Sequence, residues 1–202
     1  MSPEIIYCEQ QTKGWFIEKL GIPSASNFSK ILAKGQGKTR HKYMMDLVAE
    51  LRTGIPRKTY KNEAMEWGIA TEPEARIYYE KYKKVKVEQV GLIKCDGVCC
   101  SPDGLISEDG GLEIKCPDTT THHDYILTNK TPSDYVAQVQ GSLMVSKRSW
   151  WDFVSFDPRD VRRPFWTIRV ERDEKYIAKL RKEIDVFLYD MNEIMDKLDC
   201  PI

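Results

Sequence analysis

The sequence predicts an α/β protein, a mixed central sheet flanked by helices, and three observations point there. Cys99 to Pro117 reads as a β-hairpin: Ser101-Pro102-Asp103-Gly104-Leu105-Ile106 closes one arm, Ser107 to Gly111 is a polar turn, and Leu112 to Cys116 alternates apolar with charged residues. Segments with apolar residues at helical spacing lie on both sides, most clearly His41–Arg52 and Asp173 to about Leu198. Two further runs rich in aromatic and β-branched residues, Trp150–Phe156 and Phe165–Val170, read as strands joined by an Asp157-Pro158-Arg159 turn.

Taken in order, a short amphipathic helix from Thr12 carries Trp15, Phe16, Ile17 and Leu20 and stops at Gly21-Ile22-Pro23. Ser24 or Ser26 then caps a second helix with Phe28, Ile31 and Leu32 on its buried side. Gly35 to Arg40 is a basic connector without the glycine and lysine spacing of a P-loop. The helix His41–Arg52 ends at Thr53-Gly54-Ile55-Pro56. Helical pattern resumes at Asn62, and Pro73 fits best in the first turn of a new segment leading into Tyr78, Tyr79 and Tyr82. Val85–Cys95 alternates well enough for a strand. Asp118–Ser133 reads as loop plus a short helix, and a stronger helix starts at about Asp134 with Val136, Val139, Leu143 and Met144 on its apolar face. The closing helix turns Tyr176, Ile177, Leu180, Ile184, Phe187, Leu188 and Met191 inward.

A chain of 202 residues with 41% hydrophobic content can bury one substantial core, so a single domain over residues 1–202 is expected. No run of about 18 apolar residues is present to span a membrane. Met-Ser-Pro-Glu-Ile-Ile-Tyr-Cys lacks the basic and apolar regions of a secretory leader, so a cytosolic location is expected. Lys plus Arg equals Asp plus Glu at 31 each, which announces no nucleic-acid binder. A nuclease, however, needs positive potential only where phosphates run. The 6 cysteines are expected as free thiols. Several lie near the hairpin, with His122 and His123 just after it, which raises zinc or an iron–sulfur cluster. No Cys-x-x-Cys pair forms, and neighbours such as Cys99 and Cys100 point to opposite faces of a strand, so the spacing argues against a structural metal.

On the strand Leu112–Cys116, Glu113 and Lys115 share one face while Leu112 and Ile114 take the other. Residues two apart sit roughly 6.5–7 Å along a strand, and Asp103 on the neighbouring arm reaches the same space. Two carboxylates at one point repel unless neutralised, and hard oxygen ligands suit Mg²⁺ or Mn²⁺. A metal held this way could polarise a phosphodiester and lower the pKa of a water. Lys115 could orient or deprotonate that water, or stabilise charge on the phosphate. A bare Glu-x-Lys, by contrast, is also what any solvated alternating strand produces.

The combination is more specific. Pro102-Asp103 followed ten positions later by Glu113 and then Lys115 is the Pro-Asp…(Asp/Glu)-x-Lys arrangement of the restriction-endonuclease-like nuclease superfamily. Ser101-Pro102-Asp103-Gly104-Leu105 with Gly111-Leu112-Glu113-Ile114-Lys115-Cys116-Pro117 resembles the active-site block of the lambda-exonuclease or YqaJ-like viral recombinase family. Trp67 to Arg76 is similar to that family's second block, where Glu72 matches a glutamate facing the metal. On its own Glu72 is a solvated acid at a helix start, which the macrodipole favours. Tyr135-Val136-Ala137-Gln138-Val139-Gln140 resembles the family's glutamine-bearing helix, and Val170 to Tyr176 the entry to its last helix. The likeness runs from about Trp15 to the C-terminal helix.

The resemblance implies a restriction-endonuclease-like fold and Mg²⁺-dependent 5′ to 3′ degradation of duplex DNA, with Mn²⁺ as an alternative ion. It implies release of mononucleotides, a 3′ strand left for recombination, a ring of three subunits, 5′-phosphorylated duplex ends as substrate, and a single-strand annealing protein as partner in the host cell. Carried over by residue, Asp103, Glu113 and the carbonyl of Ile114 would be metal ligands, Glu72 would support the metal or its water, and Lys115 would act on the nucleophile. Asp96 would be a further acid, though its spacing differs. Ser26, Ser101 and Gln138 match a 5′-phosphate pocket in which Lys19 replaces the family's arginine. Lysine lacks arginine's bidentate fork, so the grip would be looser or shared with Arg40. Trp15 and Met65 match positions at the duplex entrance, where they either wedge between strands or pack in the core. A structure- or site-specific endonuclease with the same core, and a non-catalytic DNA-end-binding module, are the two alternatives.

Overall fold

The computed structural model describes residues 2–33, 37–57 and 62–200. Gly35 and Gln36 of the basic connector lie outside them, and Lys38 to Arg40 already belong to a helix. The elements run β1 (Glu4–Ile6), α1 (Lys13–Glu18), a 3₁₀ turn (Ala25–Asn27), α2 (Phe28–Leu32), α3 (Lys38–Thr53), α4 (Glu63–Lys83), β2 (Leu92–Cys95), β3 (Val98–Cys100), β4 (Gly104–Ile106), β5 (Gly110–Lys115), α5 (Thr119–Thr128), α6 (Ser133–Ser146), β6 (Trp150–Phe156), β7 (Phe165–Glu171) and α7 (Glu174–Asp199). The α/β class with a mixed sheet and flanking helices is borne out. The mixed sheet has the order β4-β5-β6-β7, with β5 and β6 parallel and the two outer pairings antiparallel. A parallel pair needs a long crossover, and α5 and α6 supply it.

Three elements depart from the sequence reading. First, the strands do not form one sheet: β1-β2-β3 is a separate antiparallel sheet, and β1, too short for a periodicity, was not foreseen. Second, the strand expected from Val85 begins only at Leu92; upstream, Glu88 makes one bridge to Leu105, with reciprocal N–H to carbonyl bonds of 2.8 Å. Third, Pro73 does not open a new helix but lies inside α4. Its ring is on the exposed side, while Thr71, Ala75 and Tyr79 form a buried stripe at spacing four that runs through the position. Packing of that stripe outweighs the missing N–H of proline. The helix expected from Asp118 is a full element, α5, capped by the Asp118 carboxylate on Thr121 N at 2.8 Å.

Leu112 and Ile114 of β5 face α4, with Ala75, Tyr79, Val154 and Phe156 in one apolar cluster. The larger cluster joins Phe28, Met44, Leu143 and Phe187 of the helices to Trp151 and Phe153 of β6. The buried Asp152 ties α4 to the sheet: its carboxylate accepts from Tyr79 Oη at 2.8 Å and from Arg169 Nε at 2.8 Å. Buried charge is tolerated when paired in this way.

Gly111 sits where the sheet has no room for a side chain. A Cβ there would stand 2.2 Å from Cζ3 of Trp151, whose ring is fully buried. Gly111→Ala is expected to cost about 1–3 kcal/mol by overpacking, read as a lowered urea midpoint; an unchanged midpoint would show that the indole can move aside.

Candidate active site

Strand β5 delivers Glu113, Ile114 and Lys115, α4 delivers Glu72, and the link between β3 and β4 delivers Asp103. Backbone pairing fixes the register: Asp103 N donates to Leu112 O at 3.1 Å, and the Asp103 carboxylate accepts from Ile114 N at 2.6 Å. Arg76, which the sequence reading did not single out, locks α4 onto this link. Its Nε donates to Asp103 O at 3.1 Å, and its guanidinium pairs with Glu72 one turn earlier. The four-residue spacing of Glu72 and Arg76 was the visible signal.

Glu113 is 1% exposed. One of its oxygens, Oε1, accepts from Lys115 Nζ and from Gln138 Nε2, the latter at 2.5 Å. Lys115 also lies over the ring of Tyr135, 5.0 Å from its centroid, a cation–π contact that holds the ammonium in place. Burial pushes Glu72 up to about 7, with the Asp103 charge adding to it. Burial likewise pushes Glu113 up to about 7, the Lys115 ammonium pulling against it and Asp103 adding to it. Asp103 is raised by burial as well. Burial works to discharge Lys115, but the Glu113 and Asp103 charges more than offset this and hold its amine above the usual range. In this arrangement Lys115 is a fixed cation, suited to donating to an anionic oxygen.

Among the described residues no three His, Cys, Asp or Glu side chains are drawn together as a metal-holding group. Lys115 and Gln138 occupy Glu113 Oε1, and Ile114 N occupies Asp103 Oδ2. The donor chemistry nevertheless fits a hard divalent cation: Glu113 Oε2 is buried with no hydrogen-bond partner, a costly state that a cation would relieve. Glu72, Asp103 and Ile114, whose carbonyl is a further oxygen donor, line the adjoining cleft.

That cleft encloses about 1600 Å³ and is also lined by Trp15, Lys19, Ser26, Met65 and Lys115. Lys19 stands 4.0 Å over the Trp15 ring, and burial lowers its amine from the usual range. The Trp15 indole is buried and donates to Gly91 O at 2.9 Å, so it packs in a core with Leu92 and Cys99 and is not free to wedge. Met65 is exposed on the cleft wall.

Other anticipated residues are placed elsewhere. Arg40 is off the cleft, paired with Asp190 at 2.8 Å and stacked on Phe187, because α3 packs that side of the helix against α7. The Gln138 amide is spent on Glu113, not offered to a phosphate, and its neighbour Gln140 braces Glu171 O at 2.8 Å. Ser101 does not line the cleft, and its Oγ is buried without a hydrogen-bond partner. Asp96 occupies the turn between β2 and β3 at φ 48°, where its carbonyl accepts from Arg181. His122 is a core residue, bonded to Ser155 Oγ at 2.7 Å and Arg163 O at 2.9 Å, and His123 pairs with Asp160 at 2.8 Å. Cys99 and Cys100 enter different apolar clusters.

The model of the YqaJ-like viral recombinase domain matches residues 14–149, a span that contains Glu72, Asp103, Glu113 and Lys115. The chain belongs to that family. A solved structure of similar fold is the alkaline exonuclease LHK-Exo from Laribacter hongkongensis, 35% identical, covering 93% of this chain and 96% of that one with a TM-score of 0.85. The same enzyme in complex with dAMP matches over the same shares with 35% identity and a TM-score of 0.86. A phage-related exonuclease from Haemophilus somnus 129PT, 12% identical over 88% of this chain and 96% of that one, shares the fold at a TM-score of 0.72. Among the described residues no helix of this family member is long and apolar enough to cross a membrane.

Proposed function

We propose that this family member degrades linear duplex DNA from its 5′ ends in the 5′ to 3′ direction, using Mg²⁺, with Mn²⁺ as substitute, and releasing mononucleotides. Membership of the family and 35% identity across 93% of the chain to an alkaline exonuclease make it a deoxyribonuclease. The observation that carries the finer reading is that Glu72, Asp103 and Lys115 line one cleft roomy enough for a nucleic-acid strand, with the buried Glu113 bonded to Lys115 beside it. The complex of the relative with dAMP, a mononucleotide, supports the product.

Asp103, Glu113 and the Ile114 carbonyl would hold the cation, which when bound supplies Lewis-acid polarisation of the phosphodiester and a lowered pKa for the attacking water. Lys115 donates to a phosphate oxygen on which charge builds up. Glu72, which Arg76 pairs with and keeps aimed, would support the cation or its water. Lys19 and Ser26 receive the 5′-phosphate. A ring of three subunits, and an annealing protein that takes the 3′ strand for recombination in the host cell, complete the reading by family likeness.

Polarity is tested on duplexes labelled at one 5′ or one 3′ terminus: the 5′ label is expected in mononucleotides first, and early loss of the 3′ label would reverse the direction. A charged hydrogen bond is worth about 1.5–3 kcal/mol, so Lys19→Ala is expected to cut the preference for 5′-phosphorylated over 5′-hydroxyl ends by about 10-fold or more. An equal loss on both ends would remove Lys19 from the phosphate.

A further inference from the structure

Arg159 follows β6 on the wall of the same cleft, and its side chain is held on three sides. Its Nε donates to Asp157 Oδ1 at 2.6 Å, its Nη2 donates to Pro117 O at 2.9 Å, and its guanidinium carbon lies 4.5 Å from the Trp67 ring centroid. The anchor beneath it is firm: Asp157 is fully buried, and its second oxygen accepts from Thr119 Oγ1 at 2.5 Å. Yet the Arg159 side chain is 47% exposed, and among the described residues Nη1 makes no hydrogen bond. Arg159, Trp67, Pro117 and Lys115 all line the cleft, Pro117 two residues beyond Lys115 on the chain.

We propose that Arg159 is a DNA-backbone contact, a guanidinium fixed in advance to take one phosphate of the duplex beside the catalytic residues; this rests on the nuclease reading above. An arginine brought from solvent gives up rotamer freedom when it binds, and Asp157, Pro117 and Trp67 have already removed most of that freedom. The open Nη1 edge offers the donor geometry that phosphate oxygens accept. The residue binds and positions; it does not touch the reacting atoms.

A strap that merely joined the loop to Pro117 would leave the salt dependence of DNA binding unmoved, whereas a phosphate contact contributes about 0.9 to the slope of log affinity against log salt. Arg159→Gln keeps a polar donor for Asp157 and removes the charge; Arg159→Lys keeps the charge and removes the fork. Binding of a fluorescein-labelled linear duplex is measured with Mg²⁺ between about 50 and 200 mM NaCl, on the Lys115→Ala background, which does not consume the DNA. The Gln variant is expected to lose about one from the slope and the Lys variant to keep it. With Lys115 intact, the Gln variant is expected to digest the duplex with KM raised about 10-fold and kcat within about twofold of wild type. Equal slopes for the Gln, Lys and parent proteins, or a loss of melting temperature without a change of slope, overturn the proposal. If the wild-type protein neither binds nor digests linear duplex, the nuclease reading itself fails and takes this inference with it.

Discussion

Lys115→Ala is expected to lower duplex digestion by at least about 10²–10³-fold, the usual effect of removing one preorganised donor from a developing charge, while the affinity for linear DNA changes only a few-fold. The basis is the position of the ammonium. It is lodged on Glu113 and over Tyr135, and the Glu113 and Asp103 charges keep its amine above the usual range despite burial. It would therefore meet a phosphate as a full charge already held in place by Glu113 and Tyr135. Single-turnover rates on a preformed complex separate chemistry from binding. A variant that cuts within about tenfold of wild type would leave Lys115 an ordinary strand lysine.

Glu113→Gln is expected to abolish both digestion and the stabilisation of the protein by Mg²⁺. A cation that binds only the folded state at about 100 times its dissociation constant adds about 2.7 kcal/mol, a rise of roughly 5–10 °C in Tm for a chain of this size. The sign of the pH effect follows from the raised carboxyls. In the folded protein Glu113 and Glu72 stand at about 7, against 4.5 ordinarily. The folded state therefore binds more protons than the unfolded one in that window. The stability these groups contribute is fully present below the lower value and is lost as pH rises through about 7. Melted without metal, the wild-type protein is expected to lose Tm from about pH 5 to about pH 8, with the Gln variant showing a shallower fall. Added Mg²⁺ should restore the wild type most at the alkaline end and leave the variant unchanged. A Mg²⁺ response that survives in Glu113→Gln would move the cation away from Glu113.

Much of this was legible from local pattern. Alternation over Leu112–Cys116 placed Glu113 and Lys115 on the face away from the Leu112 and Ile114 cluster, because strand periodicity depends only on neighbouring residues. Asp103 was legible for the same reason, since the hairpin brings it back beside β5. What the sequence hid were partners supplied by distant elements. That Arg40 pairs with Asp190, 150 residues on, and that Gln138 donates to Glu113, 25 residues back, depends on helix packing that no local period encodes. Pro73 misled because the proline rule concerns an isolated helix, whereas the buried Thr71, Ala75 and Tyr79 stripe carries α4 through it. Trp15 was left between wedge and core, and only its bond to Gly91, 76 residues away, settles its packing.

The central claim, hydrolysis of DNA from its ends, is tested most directly by incubating the protein and Mg²⁺ with linear duplex and with a covalently closed circle, beside Lys115→Ala. The expected result is that the linear DNA is consumed to mononucleotides, the circle survives, and the variant leaves both intact. A circle that is nicked or linearised would contradict the exonuclease reading in favour of an endonuclease, and linear DNA that is bound but left whole would make the protein an end-binding module.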